Sequence, residues 1–338
     1  FDNLYMEIKD ALEGVDLKIG RQDMSYGNKK VLYEGTAGDG TRAFYFDAVK
    51  ATFKNLLPDT EIDVFGIYNN ASDKWLAIGN IDRDVTGYKS VNGAKEKEGV
   101  DESGAGVYLM NKTYSSMPID LYWIFKSEEA YAIASGKVDR LDVHTTGFRV
   151  TPKFSETINA YCEGAIQSGE RGTADISGTM VDAGITFKTT KEIPWTPSLL
   201  ASVYYLSGDD PDTEDEEGWN PVFARHTQNN ELYAAAYPGS RWSNLLMPGL
   251  CFAIVPVDWA KISLTINYLF APEKDGSGGG NERGLLSNMI AEFDLGKKLY
   301  GKKDDFTGHV MLQILEPGDY YLNDETAYFF RWQLCKNF

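Results

Sequence analysis

The stretch AKISLTINYLF, residues 260–270, puts Ile262, Leu264, Ile266, Tyr268 and Phe270 at every second position, with Lys261, Ser263, Thr265 and Asn267 between them. Successive side chains of a strand point to opposite faces, so this spacing predicts a strand with one greasy and one wettable face. DLKIG (16–20) repeats the pattern, with Leu17 and Ile19 around Lys18. ETINAYCEGAIQ (156–167) sets Ile158, Ala160, Cys162 and Ile166 against Asn159, Tyr161, Glu163 and Gln167. The period of two runs through nearly the whole chain, and no helical stripe of useful length interrupts it.

The connections narrow the choice of fold. Short ones fall at 13–14, 56–60, 115–118, 152–155, 191–197, 257–259 and 301–304. Long, polar ones fall at 26–42, 71–105, 127–140, 208–242 and 273–284, with shorter members at 168–172 and 316–324. Short and long alternate along the chain. That predicts a transmembrane, antiparallel, up-and-down β-barrel of an outer membrane, with tight turns on one side and loops on the other. A β-sandwich has as many strands but gives no reason for every second connection to be short.

The alternation yields about fifteen strands of about 9–14 residues, a length that suits a tilted membrane crossing. The first strand, NLYMEIKDAL (3–12), leads into a short turn. A barrel of even strand number with that polarity needs one to three strands before Phe1, giving roughly 16–18 in the full protein. Residues 1–338 are expected to form a single outer-membrane β-barrel domain.

The last strand, TAYFFRWQLCKNF (326–338), fits the same geometry. Tyr328, Phe330, Trp332, Leu334 and Phe338 make a lipid-facing set, and Lys336 lies where its amine can reach headgroups. Arg331, Gln333 and Asn337 face water. Trp195 and Trp259 stand beside short turns and Trp242 beside a long loop, the positions of interfacial aromatic girdles.

Composition excludes other classes. The 338 residues carry 50 acidic against 33 basic side chains, a net charge of -17, which argues against a nucleic-acid partner. Much of the excess sits in GDDPDTEDEEG (208–218), read as a solvated loop; a calcium loop is the alternative, without EF-hand spacing. Cys162, Cys251 and Cys335 show no CxxC spacing, and His144, His226 and His309 are scattered, so neither metal nor cofactor is expected. No apolar run is long enough for a membrane-spanning helix, which leaves strand crossings untouched. Glu292 and Asp294 lie two apart on one strand face, about 7 Å, a spacing shared with two-acid glycosidases. Such pairs arise on any polar strand face and nothing supplies a cleft, so no enzyme is expected. GSGGG (276–280) reads as flexible linker.

Several segments resemble the alginate-export family of outer-membrane porins. They are DLKIGRQDMSYG (16–27), FYFDAVKATF (44–53), HTTGFRVTP (144–152), YCEGAIQSGE (161–170), ASVYYLSGDD (201–210), GWNPVFAR (218–225), YPGSRWSNLLMPG (237–249) and AEFDLGKKLY (291–300), in that order. The resemblance implies a monomeric barrel of about 18 strands. It also implies an arginine- and lysine-rich lumen that conducts an anionic polysaccharide. Because the family covers differing cargo, alginate itself does not transfer automatically.

Strand alternation assigns Lys9, Lys18, Lys50, Lys126, Arg149, Lys261 and Arg331 to the inward face, together with Glu7, Asp120, Glu163, Asp182, Glu292 and Asp294. Arg149 and Arg331, with the family-matching Arg21 and Lys50, are the candidate contacts for a carboxylate, which a guanidinium can grip with two parallel bonds. Arg21 shares parity with Leu17 and Ile19, so it points inward only through a bulge, or else lies at the outer rim. Lys18, Lys126 and Lys261 complete the cationic wall, and Glu163, Glu292 and Asp294 serve as counter-charges. The alternative is that these charges pair across the lumen and hold it open. The expected function is a passive outer-membrane channel, a porin, for anionic solutes or polysaccharide. Its selectivity would come from lumen width, wall charges and any long loop folded inward. Expected partners are outer-membrane lipid, lipopolysaccharide and the anionic solute. Two other readings are a plugged scaffold barrel whose loops bind a surface partner, and a secreted carbohydrate-binding β protein.

Overall fold

A computed structural model of the chain describes residues 3–33, 45–69, 101–133, 136–224, 232, 243–274 and 278–337. The strands are β1 (Leu4–Leu12), β2 (Val15–Gln22), β3 (Phe46–Leu57), β4 (Thr60–Asn69), β5 (Glu102–Asn111), β6 (Ile119–Glu128), β7 (Tyr131–Ile133), β8 (Gly136–Val138) and β9 (Leu141–Val150). They continue with β10 (Ile158–Arg171), β11 (Ala174–Ile176), β12 (Thr179–Lys188), β13 (Ser198–Leu206), β14 (Leu245–Val257), β15 (Ala260–Phe270), β16 (Glu282–Asp294), β17 (Phe306–Pro317) and β18 (Ala327–Lys336). β7 and β8 pair only with each other, and β11 folds back on the end of β10. The other fifteen follow one another across a single sheet in chain order. Every pairing is antiparallel, as hairpin connections require. The sheet's two edges are β1 and β18, which are not joined to each other among the described residues.

Tight turns appear where the short connections were read. Leu12 faces Val15, Leu57 faces Thr60 and Val257 faces Ala260, so each of these hairpins closes with two residues. Gly14 has φ 72°, which such a turn needs and which glycine adopts without a Cβ clash. Two connections differ from the reading. The stretch read as loop at 168–172 is mostly strand, because β10 runs on to Arg171 before turning. β16 stops at Asp294, and helix α1 (Leu295–Tyr300) occupies what was read as strand before the turn at 301–304. The Asp294 carboxylate caps the helix by accepting the Lys297 amide, and Gly301 ends it in the left-handed conformation. Among the described residues no helix is long and apolar enough to cross a membrane.

The two faces of the sheet are inverted relative to a water-soluble protein. Phe330 is 64% exposed, Trp332 65% and Leu264 42%, all on the outward register. On the inward register, Lys126 of β6 and Glu163 of β10 are each only 1% exposed. Greasy side chains facing out and charges facing in are what a hydrocarbon exterior and an enclosed interior demand. Inward glycines let aromatic rings lie flat on the wall: a Cβ on Gly106 would meet the Phe65 ring at 2.4 Å, and one on Gly147 the Tyr122 ring at 2.4 Å. Phe338 and Trp242 lie outside the described residues.

Candidate functional site

The interior is crossed by a row of charge. Asp120 on β6 lies opposite Arg149 on β9, Arg149 opposite Glu163 on β10, and Glu163 opposite Asp182 on β12. Tyr204 on β13 continues the row. Arg149 gives its Nη1–H to Asp120 at 3.2 Å, and the Tyr122 hydroxyl donates to Glu163 at 3.2 Å. Three carboxylates against one guanidinium leave the row short of positive charge.

Residues 23–33, which follow β2, fold inward and supply it. Met24, Val31 and Leu32 are buried and anchor the segment in the interior core with Phe65, Tyr108 and Tyr122. Val31 and Tyr33 exchange backbone hydrogen bonds with Phe223, so a second stretch, 219–223, is tied down beside the first. The Lys30 amine lies 4.4 Å above the Tyr204 ring. Burial pushes the Lys30 pKa down, and Asp182 and Glu163 oppose that shift. Tyr26 stacks on Tyr108 at 4.3 Å between ring centres and donates its hydroxyl to Asp63 at 2.6 Å. Desolvation and the Asp63 charge push that phenol up.

Asn28 makes the tightest connection. Its backbone N–H donates to Glu163 at 2.7 Å, its side-chain Nδ2 to Asp182 at 3.0 Å, and its Oδ1 accepts from Arg149 Nε at 2.7 Å. The neighbours fix the amide orientation, since carboxylates accept and a guanidinium donates. Gly27, at φ 56°, lets the turn press against the wall; a Cβ there would meet Glu163 Oε2 at 2.8 Å.

The residues singled out from the sequence fall into several settings. Lys50 pairs with Asp63 at 3.1 Å and faces Lys18, whose amine lies 3.7 Å from the Tyr5 ring centre. Lys126 bonds Glu102, Glu128 and the Val222 carbonyl, which closes it off against the inward-folded stretch. Arg21 stays on the outward parity near the end of β2, where it pairs with Asp47 at 2.9 Å and covers the Tyr45 ring. Its place is the rim. Lys261 pairs with Glu292 at 3.3 Å, and Arg331 Nε donates to His309 Nε2 at 3.1 Å. Near that end a cavity of about 550 Å³ is lined by Trp259, Lys261, Glu292, Asp294, His309 and Gln333. Asp294 there caps α1. Lys336 bonds Asp305. The acidic stretch 208–218 is exposed at 211–215, while the residues just after it turn inward. Among the described residues no cluster of metal-ligating side chains occurs. His226 lies outside them.

Asn28, Lys30 and Tyr26 were missed by parity reasoning because they stand on a connection, where no alternation operates. The available signal was the apolar pair Val31–Leu32 inside a loop otherwise read as polar.

The family model for alginate export matches residues 1–275. The chain belongs to the alginate export family. A search of curated proteins gives no match. Solved structures agree on the fold at low identity. OccK5 (OpdH) of Pseudomonas aeruginosa superimposes with a TM-score of 0.58 at 12% identity, covering 98% of this chain and 79% of that one. The outer membrane protein OprD of the same organism gives 0.56 at 11%, covering 95% and 74%. OccAB4 of Acinetobacter baumannii gives 0.56 at 11%, covering 95% and 71%. This alginate-export chain is therefore a barrel-forming channel protein of the Gram-negative outer membrane. By the general polarity of such barrels its two-residue turns face the periplasm and its long connections the exterior. The cavity near α1 then opens on the periplasmic side, and the segment 23–33 enters the lumen from outside.

Proposed function

We propose that this channel passes anionic solutes, acidic polysaccharide among them, by passive diffusion. The observation that carries the reading is the stepped placement of inward cations: Lys261 and Arg331 toward the periplasmic end, Lys18 and Lys50 on β2 and β3, and Arg149 beside the inward-folded segment. Lys261, Lys50 and Arg149 keep 51%, 24% and 25% of their side chains exposed, so a passing carboxylate can reach them. Each is already balanced in part by Glu292, Asp63 or Asp120, which keeps binding weak enough for release. The family's name fits an acidic sugar polymer. The protein acts as a monomer, with lipopolysaccharide around its outer half.

The test is selectivity in planar bilayers. A salt gradient gives an anion-biased reversal potential in the wild type, and replacing Arg149→Ala together with Arg331→Ala lowers it. Unchanged potentials remove both from the path. The inward packing of 23–33 and 219–223 favours a second reading, a plugged scaffold; complete lack of steady current would select it.

A further inference from the structure

The bonds that hold Asn28 are unequal. Glu163 is 1% and Asp182 6% exposed, sealed beneath the segment. The Arg149 side chain keeps 25% of its surface, and its Nε is spent on a neutral amide oxygen. A guanidinium can grip a carboxylate with two parallel bonds between opposite charges, whereas the amide oxygen is neutral and takes one. Asn28 therefore occupies, with a weaker acceptor, the place an arriving carboxylate would take.

Resting on the anion-channel reading, we infer that Asn28 latches the 23–33 segment across the lumen and that a solute carboxylate binding Arg149 releases it. Arg149 is then a carboxylate-binding subsite whose occupancy sets the channel width. Losing Arg149 unties the side chain that also points Nδ2 at Asp182. The backbone bond to Glu163 then holds the turn without its lateral support. Other contacts of the segment, among them Tyr26 with Asp63 and Val31 with Phe223, lie to either side of Asn28 and act as hinges.

Single-channel recording of the full chain, with and without sodium D-glucuronate at equal ionic strength, tests this. Glucuronate lengthens the open time of the wild type. Asn28→Ala removes the latch, so unitary conductance rises roughly twofold with the widened constriction and glucuronate adds nothing further. Asn28→Leu gives the same outcome, since a side chain of similar size can neither accept from Arg149 nor donate to Asp182. Heat-dependent migration on gels confirms that each variant is a folded barrel. Wild-type conductance in both variants, or a glucuronate response that survives in them, overturns the latch and leaves the channel reading standing. No current from the wild type or either variant overturns both.

Discussion

Arg149 and Asn28, 121 positions apart in the chain, are joined by a hydrogen bond of 2.7 Å from guanidinium Nε to amide Oδ1. The bond ties a wall strand to a folded-in connection, so the two jobs of Arg149 can be separated. Arg149→Gln keeps a neutral donor toward Asn28 but removes the charge beside Asp120. Its expected outcome is a reversal potential displaced toward cations at unchanged unitary conductance. Arg149→Ala loses charge and tether together and should change both. If Gln and Ala variants behave alike in both measurements, the tether carries no weight.

Lys126 makes a prediction about stability. It is 1% exposed and bonds Glu102 at 3.0 Å and Glu128 at 2.7 Å. Lys126→Met leaves the carboxylates buried without their cation, which costs about 3–5 kcal/mol. The midpoint of urea unfolding in liposomes should fall accordingly, and Lys126→Met combined with Glu102→Gln should recover part of the loss. A midpoint equal to wild type would mean that water reaches these groups.

What the sequence disclosed follows from what sets alternation. Inside a strand, one residue of slip exchanges lipid for lumen, so parity alone placed Asp120, Arg149, Glu163 and Asp182 inward. Their registration into one row needed the pairing of β6, β9, β10 and β12, which alternation does not encode. Arg21 shows the rule holding against a motif: parity with Ile19 puts it outside the lumen, beside Asp47. The connections were hardest. Residues 23–33 are positioned by partners spread along the chain from Asp63 to Phe223, and no local period marks such a site.

The same parity predicts a sharp contrast between neighbours on β15. Leu264 faces out and Thr265 faces in. Leu264→Arg places a charge against hydrocarbon near mid-strand, at a cost of about 2–4 kcal/mol at the midplane. Thr265→Arg points into the aqueous interior and should cost far less while shifting selectivity toward anions. Urea midpoints of the two variants in one lipid decide the matter; equal losses would contradict the assigned faces.

Lys30 gives the lumen a pH dependence of definite sign. It is 6% exposed, and burial holds its pKa below the ordinary 10.5, against the pull of Asp182 and Glu163. Once the segment leaves the wall, the amine regains its ordinary affinity for a proton. Between the two values the released state binds more protons than the seated one, so seating strengthens as pH rises and weakens as pH falls. Raising the pH toward the ordinary lysine value of about 10.4 should therefore lower unitary conductance. Lys30→Met has no proton to lose and should flatten that profile. If the profile of Lys30→Met matches that of the wild type, the dependence belongs to another group and Lys30 is not the one that seats the segment.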